Sequence, residues 1–153
     1  MPLSLHCAAF ATGQTIPQPF TGDGADVSPA LGWSGVPPGT RSFALIMDDP
    51  DAPGGTWVHW VVYDLPATQT SLPEGVPTIV AVEGGARQGK NSWGKIGYGG
   101  PAPPPGAPHR YVFKLYALSG LTNLKGGVTQ STLLVAMKGK VLGEAQWLGR
   151  YGR

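Results

Sequence analysis

Cysteine is almost absent: Cys7 stands alone in 153 residues. No internal disulfide can close, which fits a reducing compartment. Charged residues are scarce too, at 13%, about half the usual share. No apolar run approaches the roughly 18 residues needed to span a bilayer. No Lys or Arg precedes the mildly apolar stretch from Met1 to Ala11, which argues against a signal peptide. The expectation is a cytoplasmic protein without integral membrane association. Basic residues are scattered and never form a run, so a nucleic-acid stripe is excluded. Repeats, heptads and linkers are missing as well. One domain over residues 1–153 is expected, long enough to bury a real core.

Glycine and proline are abundant instead, with 24 and 16 copies. Together they approach the level at which disorder is considered. Regular apolar runs argue against disorder, and the two residue types read as punctuation between short strands. Residues 41–47 (RSFALIM) are apolar and bounded by turn residues, as a buried strand would be. Residues 56–63 (TWVHWVVY) are β-branched and aromatic, and Asp64-Leu65-Pro66 is expected to end them. Residues 110–118 form a third strand and 141–151 a last one. Residues 84–106 are long, irregular and rich in Gly and Pro. Trp93 and Tyr98 within them favour an ordered, functional loop. One helix is expected from about Thr129, capped by Thr129 or Ser131 and ended near Gly139, with Leu133, Leu134 and Met137 as its apolar stripe. The sum is a mainly β, antiparallel β-sandwich with one or two short helices.

The net charge of +2 conceals an asymmetry: residues 1–86 carry eight acids and only Arg41, while residues 87–153 carry ten bases and only Glu144. Interleaving of the two halves in one fold would mix these charges. A segregated basic face would attract phosphates or an acidic partner.

Three distant stretches share one chemistry. They are Asp48-Asp49-Pro50-Asp51-Ala52-Pro53, Trp57-Val58-His59-Trp60, and Gly100-Pro101-Ala102-Pro103-Pro104-Pro105 running on to His109-Arg110-Tyr111. Strand alternation puts Asp49 in line with Phe43, Leu45 and Met47. It groups His59 with Trp57, Val61 and Tyr63, and His109 with Tyr111, Phe113 and Leu115. Asp49, His59, His109 and Tyr111 can therefore converge at one sheet edge. Two imidazoles and a phenol can donate hydrogen bonds to phosphate or another oxyanion. The carboxylates of Asp49 and Asp51 would repel an anion, so the job expected of one or the other is to accept a histidine's second ring N–H and fix its tautomer. Pro50 and Pro53 hold the residues before them extended. Glycines at 100 and 106 would expose backbone N–H groups, which suit anions.

Taken together, these segments resemble the phosphatidylethanolamine-binding protein family, which includes Raf kinase inhibitor protein. Ser28-Pro29-Ala30-Leu31-Gly32-Trp33 is similar to a further segment of that family. The resemblance spans nearly all of residues 20–151 and is greatest to the short bacterial and archaeal branch. It implies a β-sandwich with a small pocket for phosphate or the phosphoethanolamine head group. Asp49, Asp51, His59, Gly100, Pro101, His109 and Tyr111 would line it, with Pro53 and Trp57 supporting its wall. It also implies modulation of a protein partner such as a kinase or protease, and a homodimer. The stretch between Asp51 and His59 is shorter than in mammalian members, and a pocket-capping C-terminal helix is not expected, so the pocket should be more open.

Other chemistries compete for the same cluster. Two Asp and two His suit a metal by residue type, but close His-x-His or His-x-x-x-His spacing is missing. A His–Asp pair can act as a general base in a hydrolase, but the motifs hold no Ser or Cys nucleophile and no Gly-x-Ser-x-Gly. The sequence reading is a binding protein that needs no metal or cofactor and is not an enzyme.

Overall fold

The computed structural model describes residues 2–82 and 84–153; Met1 and Glu83 lie outside the described residues. The strands are β1 Ser4–His6, β2 Leu31–Ser34, β3 Ser42–Asp49, β4 Trp57–Pro66, β5 Ser71–Leu72, β6 Arg87–Gln88, β7 His109–Leu118 and β8 Val141–Tyr151. One α-helix, α1 Gln130–Met137, precedes β8. Two antiparallel sheets form, one of three strands in the order β1-β2-β5 and one of five in the order β6-β4-β3-β7-β8. The mainly β sandwich read from the sequence is the observed architecture.

Burial on both faces explains the unbroken apolar run of β3. It is the central strand of the larger sheet, and every one of its residues is buried. Phe43, Leu45 and Met47 face the smaller sheet, where they join Leu5, Leu31, Trp33 and Leu72 in the main core. Trp33 meets Phe43 edge to face at 5.4 Å between ring centroids, an arrangement that adds to plain burial. Ala44 and Ile46 face the other way and join Val58, Val61, Tyr63 and Leu118 beneath the helix. A strand covered on both sides has no solvated face and shows no polar alternation.

The helix begins where capping chemistry predicts. Thr129 is the N-cap, and its side chain accepts from the Thr132 N–H, an arrangement commonly worth about 1 kcal/mol. Gly139, at φ 78°, supplies the left-handed turn that ends it. Leu133 and Met137 are buried against the sheet, but Leu134 is exposed. The expected three-residue stripe is therefore two residues wide, because α1 lasts barely two turns and touches the sheet along one line.

Two bulges correct the reading of β4. Met47 pairs with Trp60 whereas Asp48 pairs with Val58, which leaves His59 as an extra residue. Such an insertion reverses the alternation beyond it. Trp60 thus enters the main core while Val61 and Tyr63 fall on the opposite face, away from the His59 with which they were grouped. A second shift lies between the Val62–Leu45 and Leu65–Phe43 pairs. There Asp64 adopts φ 56°, and its carboxylate accepts from the Thr122 N–H, the Thr122 hydroxyl and the Asn123 N–H. Asp64 therefore bends the strand instead of ending it, and β4 runs on to Pro66.

The two halves of the chain do mix their charges. All three Lys or Arg ion pairs found among the described residues join an early acid to a late base: Asp23–Arg153, Asp48–Lys114 and Asp51–Arg110. No helix among the described residues is long and apolar enough to cross a membrane.

Candidate functional site

Antiparallel pairing brings the end of β3 and the starts of β4 and β7 to one edge of the larger sheet. Asp49 pairs with Trp57, and Asp48 with Val112. A cleft of about 270 Å³ opens there. Its polar lining comes from Asp49, His59, His109 and Tyr111, and its stiff wall from Pro53, Trp57 and Trp93 on one side and Ala102, Pro103 and Pro104 on the other. Convergence of the four polar groups, which alternation only permits, is thus realised. The bulge at His59 contributes, because it keeps His59 on the cleft side while the rest of β4 switches faces.

Each of the two cleft histidines is fixed through Nδ1. His109 Nδ1 lies 2.7 Å from Asp49 Oδ2. The other Asp49 oxygen accepts from the Asp51 backbone N–H at 2.8 Å. Asp49 is 3% exposed, so these two donors satisfy a nearly buried carboxylate, as buried charge requires. His59 Nδ1 lies 2.6 Å from the Gly99 carbonyl, and Gly99 N–H donates back to the His59 carbonyl at 2.9 Å. A carbonyl can only accept, so His59 carries its proton on Nδ1. Burial is the main force on His59 and lowers its pKa; the Gly99 contact and the Asp49, Asp26 and Asp48 carboxylates oppose it.

Tyr111 closes the floor of the cleft. Its hydroxyl is buried without a hydrogen-bond partner. Burial, and after it the Asp49 charge, hold its pKa well above the usual phenol value, so it stays a neutral donor. Aromatic edges pack the floor: His59 meets Tyr111 at 5.2 Å and Trp93 at 5.0 Å, and Trp93 meets Trp57 at 5.5 Å.

Three of the expected lining residues stand outside the cleft. Asp51 turns away to Arg110, accepting from its backbone N–H and from Nε and Nη2 at 2.8–2.9 Å. That guanidinium holds the Asp51 carboxyl well below the usual carboxylate range. Asp51 therefore orients no histidine through its side chain; its backbone N–H anchors Asp49 instead. Gly100 donates its N–H to Asp26 Oδ1 at 2.6 Å, so that N–H is not free for an anion. Pro101 is buried, and its carbonyl accepts from Gly22 N–H. Both brace the loop behind the wall.

Trp93, Ala52, Ala102, Pro103 and Pro104 line the cleft without having been assigned to it. The signal for Trp93 was present, an aromatic in a long ordered loop. Its position depends on tertiary contacts: Asn91 Oδ1 accepts from the Trp93 and Lys95 N–H groups, and Ser92 pairs with Val58 on β4. Arg153 ties down the other wall, donating to the Pro103 carbonyl and gripping Asp23. Among the described residues, no group of three or more His, Cys, Asp or Glu side chains is placed to hold a metal ion.

Known proteins share both sequence and fold with this chain. The family model described as Phosphatidylethanolamine-binding protein matches residues 7–152. A UPF0098 protein of Aquifex aeolicus is 48% identical, over 99% of this chain and 89% of its own length. One of Methanothermobacter thermautotrophicus is 46% identical, over 99% of both. Among solved structures, a phosphatidylethanolamine-binding protein homologue of Chlamydia trachomatis superposes with a TM-score of 0.91 at 38% identity, covering 99% of this chain and 98% of its own. Escherichia coli YbcL, described as a new member of the mammalian family, gives 0.90 at 33% identity, covering 100% and 99%. With family model, matched length and fold in agreement, the chain belongs to the phosphatidylethanolamine-binding protein family, alongside bacterial and archaeal members.

Proposed function

We propose that the protein binds a small phosphate-bearing anion in the cleft at the ends of β3, β4 and β7. The observation that carries this reading is the meeting of His59, His109 and the partnerless Tyr111 hydroxyl in one small cleft. Rigid Pro and Trp walls limit the ligand to roughly one head group. Modulation of a kinase or protease, and assembly as a homodimer, rest on the resemblance alone. A cytoplasmic location accords with the lone, buried Cys7.

Titration with inorganic phosphate and with phosphoethanolamine, followed by histidine ring NMR, tests the reading. The signals of His59 and His109 shift on binding. No shift up to about 10 mM, beyond which affinity falls below roughly 3 kcal/mol, rejects it.

A hydrolase is the second reading, favoured by the 2.7 Å His109–Asp49 pair. Such a pair can serve as a general base toward water. No Ser or Cys lines the cleft to act as nucleophile. Turnover in a screen of phosphate and carboxylic esters, abolished by His109→Ala, would establish catalysis over simple binding.

A further inference from the structure

The polar atoms of the cleft are not all donors. His59 spends its one ring proton on the Gly99 carbonyl at 2.6 Å. It is 3% exposed and has the Trp93 and Tyr111 rings against it at 5.0 and 5.2 Å. Burial this deep favours the neutral ring, and with the proton held on Nδ1 its Nε2 is a lone pair, an acceptor. A fully deprotonated oxyanion offers Nε2 nothing but repulsion. The Tyr111 hydroxyl is the reverse, a buried donor that makes no hydrogen bond within 3.5 Å, although the Asp49 carboxylate lies close enough to act on it.

The carboxylates near His59 favour a charged ring and so oppose burial, yet they also repel an anion, Asp48 least because Lys114 pairs with it at 2.9 Å. Asp48 and Asp49 come from β3, and Asp26 from the loop before β2. From β7, His109 and Tyr111 face it across the cleft, and from the loop before β7, Trp93 and Gly99. No Lys or Arg lines the cleft. Repulsion between a ligand and these carboxylates scales with ligand charge, so a single negative charge is tolerated far better than two.

From this donor and acceptor pattern we infer that the cleft selects a phosphate monoester or inorganic phosphate carrying one proton, with its P–OH donating to His59 Nε2 and another oxygen accepting from Tyr111. This selectivity rests on the anion-binding reading above and sharpens it. A sulfate ester has the same shape and a single charge but no proton. A phosphodiester, the linkage of an intact phospholipid, also lacks the proton. Both should bind poorly. The cleft is thus built for a free phosphorylated small molecule in preference to an intact lipid head group.

Three singly charged probes at pH 5.5 separate the possibilities: methyl phosphate, methyl sulfate and dimethyl phosphate, each titrated by calorimetry into the wild-type protein. A phosphomonoester, with a second pKa near 6, is mostly monoanionic there. Methyl phosphate is expected to bind at least tenfold tighter than the other two. Nitrogen-15 spectra of the methyl phosphate complex should keep His59 Nε2 unprotonated, shifted only as a hydrogen-bonded acceptor. Equal affinity for all three, or conversion of His59 to imidazolium on binding methyl phosphate, overturns the selectivity and leaves anion binding standing. Tighter binding of dimethyl phosphate overturns it in favour of a lipid head group. No binding of any probe overturns both readings.

Discussion

Replacing Asp49 by Asn should reverse the tautomer of His109. The two side chains are nearly isosteric, but Asp49 uses both oxygens as acceptors, one for the Asp51 N–H at 2.8 Å and one for His109 Nδ1 at 2.7 Å. Asn has only one oxygen. If that oxygen turns to His109, its NH₂ group confronts the Asp51 N–H, and two donors face each other. Leaving a partly buried N–H in that state costs about 1–3 kcal/mol. If the oxygen stays on Asp51, the NH₂ group faces His109 Nδ1, and the ring accommodates it by carrying its proton on Nε2. The second arrangement keeps both hydrogen bonds and should prevail. The exchange of a charge-assisted bond for a neutral one lowers stability by roughly 1–2 kcal/mol. For a domain of this size that is about 2–8 °C in Tm. Long-range proton–nitrogen correlation spectra report which ring nitrogen bears hydrogen. The wild type should show His109 protonated at Nδ1 and Asp49→Asn at Nε2. A His109 pattern unchanged by the substitution would refute the claim that Asp49 sets its tautomer.

Two further outcomes follow from the same contacts. A Cβ added at Gly99 would lie 2.5–2.9 Å from the Trp93 ring, so Gly99→Ala should push the indole off Trp57. Trp93 is 44% exposed and can yield, so the cost stays at the low end of overpacking, about 1 kcal/mol, while the exciton signal of the Trp57–Trp93 pair in circular dichroism is lost; an unchanged signal contradicts the packing. Burial lowers the His59 pKa, so the unfolded chain binds a proton at higher pH than the folded one does. The stability that a neutral His59 allows is complete above the unfolded value near 6.5. It declines as pH falls from there toward the folded pKa, by at most about 1.4 kcal/mol per pH unit. Urea unfolding at pH 7.5 and 5.5 should show a smaller difference in His59→Gln than in the wild type, and equal differences would refute the assignment.

Much of this protein was legible in its sequence because the relevant signals are local. The apolar run of residues 41–47, bounded by turn residues, reads as a buried strand, and Thr129 and Gly139 mark helix ends by backbone chemistry that needs no partner. Asp49, His59, His109 and Tyr111 could be nominated because strand alternation and Pro-rich flanks are written in the chain. Only the tertiary structure decided what those residues do. A one-residue bulge at His59 depends on how β3 and β4 register, and it alone separates His59 from Val61 and Tyr63. Of the two acids that could hold a histidine, Asp49 does so and Asp51 binds Arg110, which lies beside it only after β7 pairs with β3. Gly100 gives its N–H to Asp26, which is 74 residues away. Residue types fix which hydrogen bonds are possible; the pairing of distant segments fixes which are spent, and therefore which donors and acceptors the cleft still has to offer.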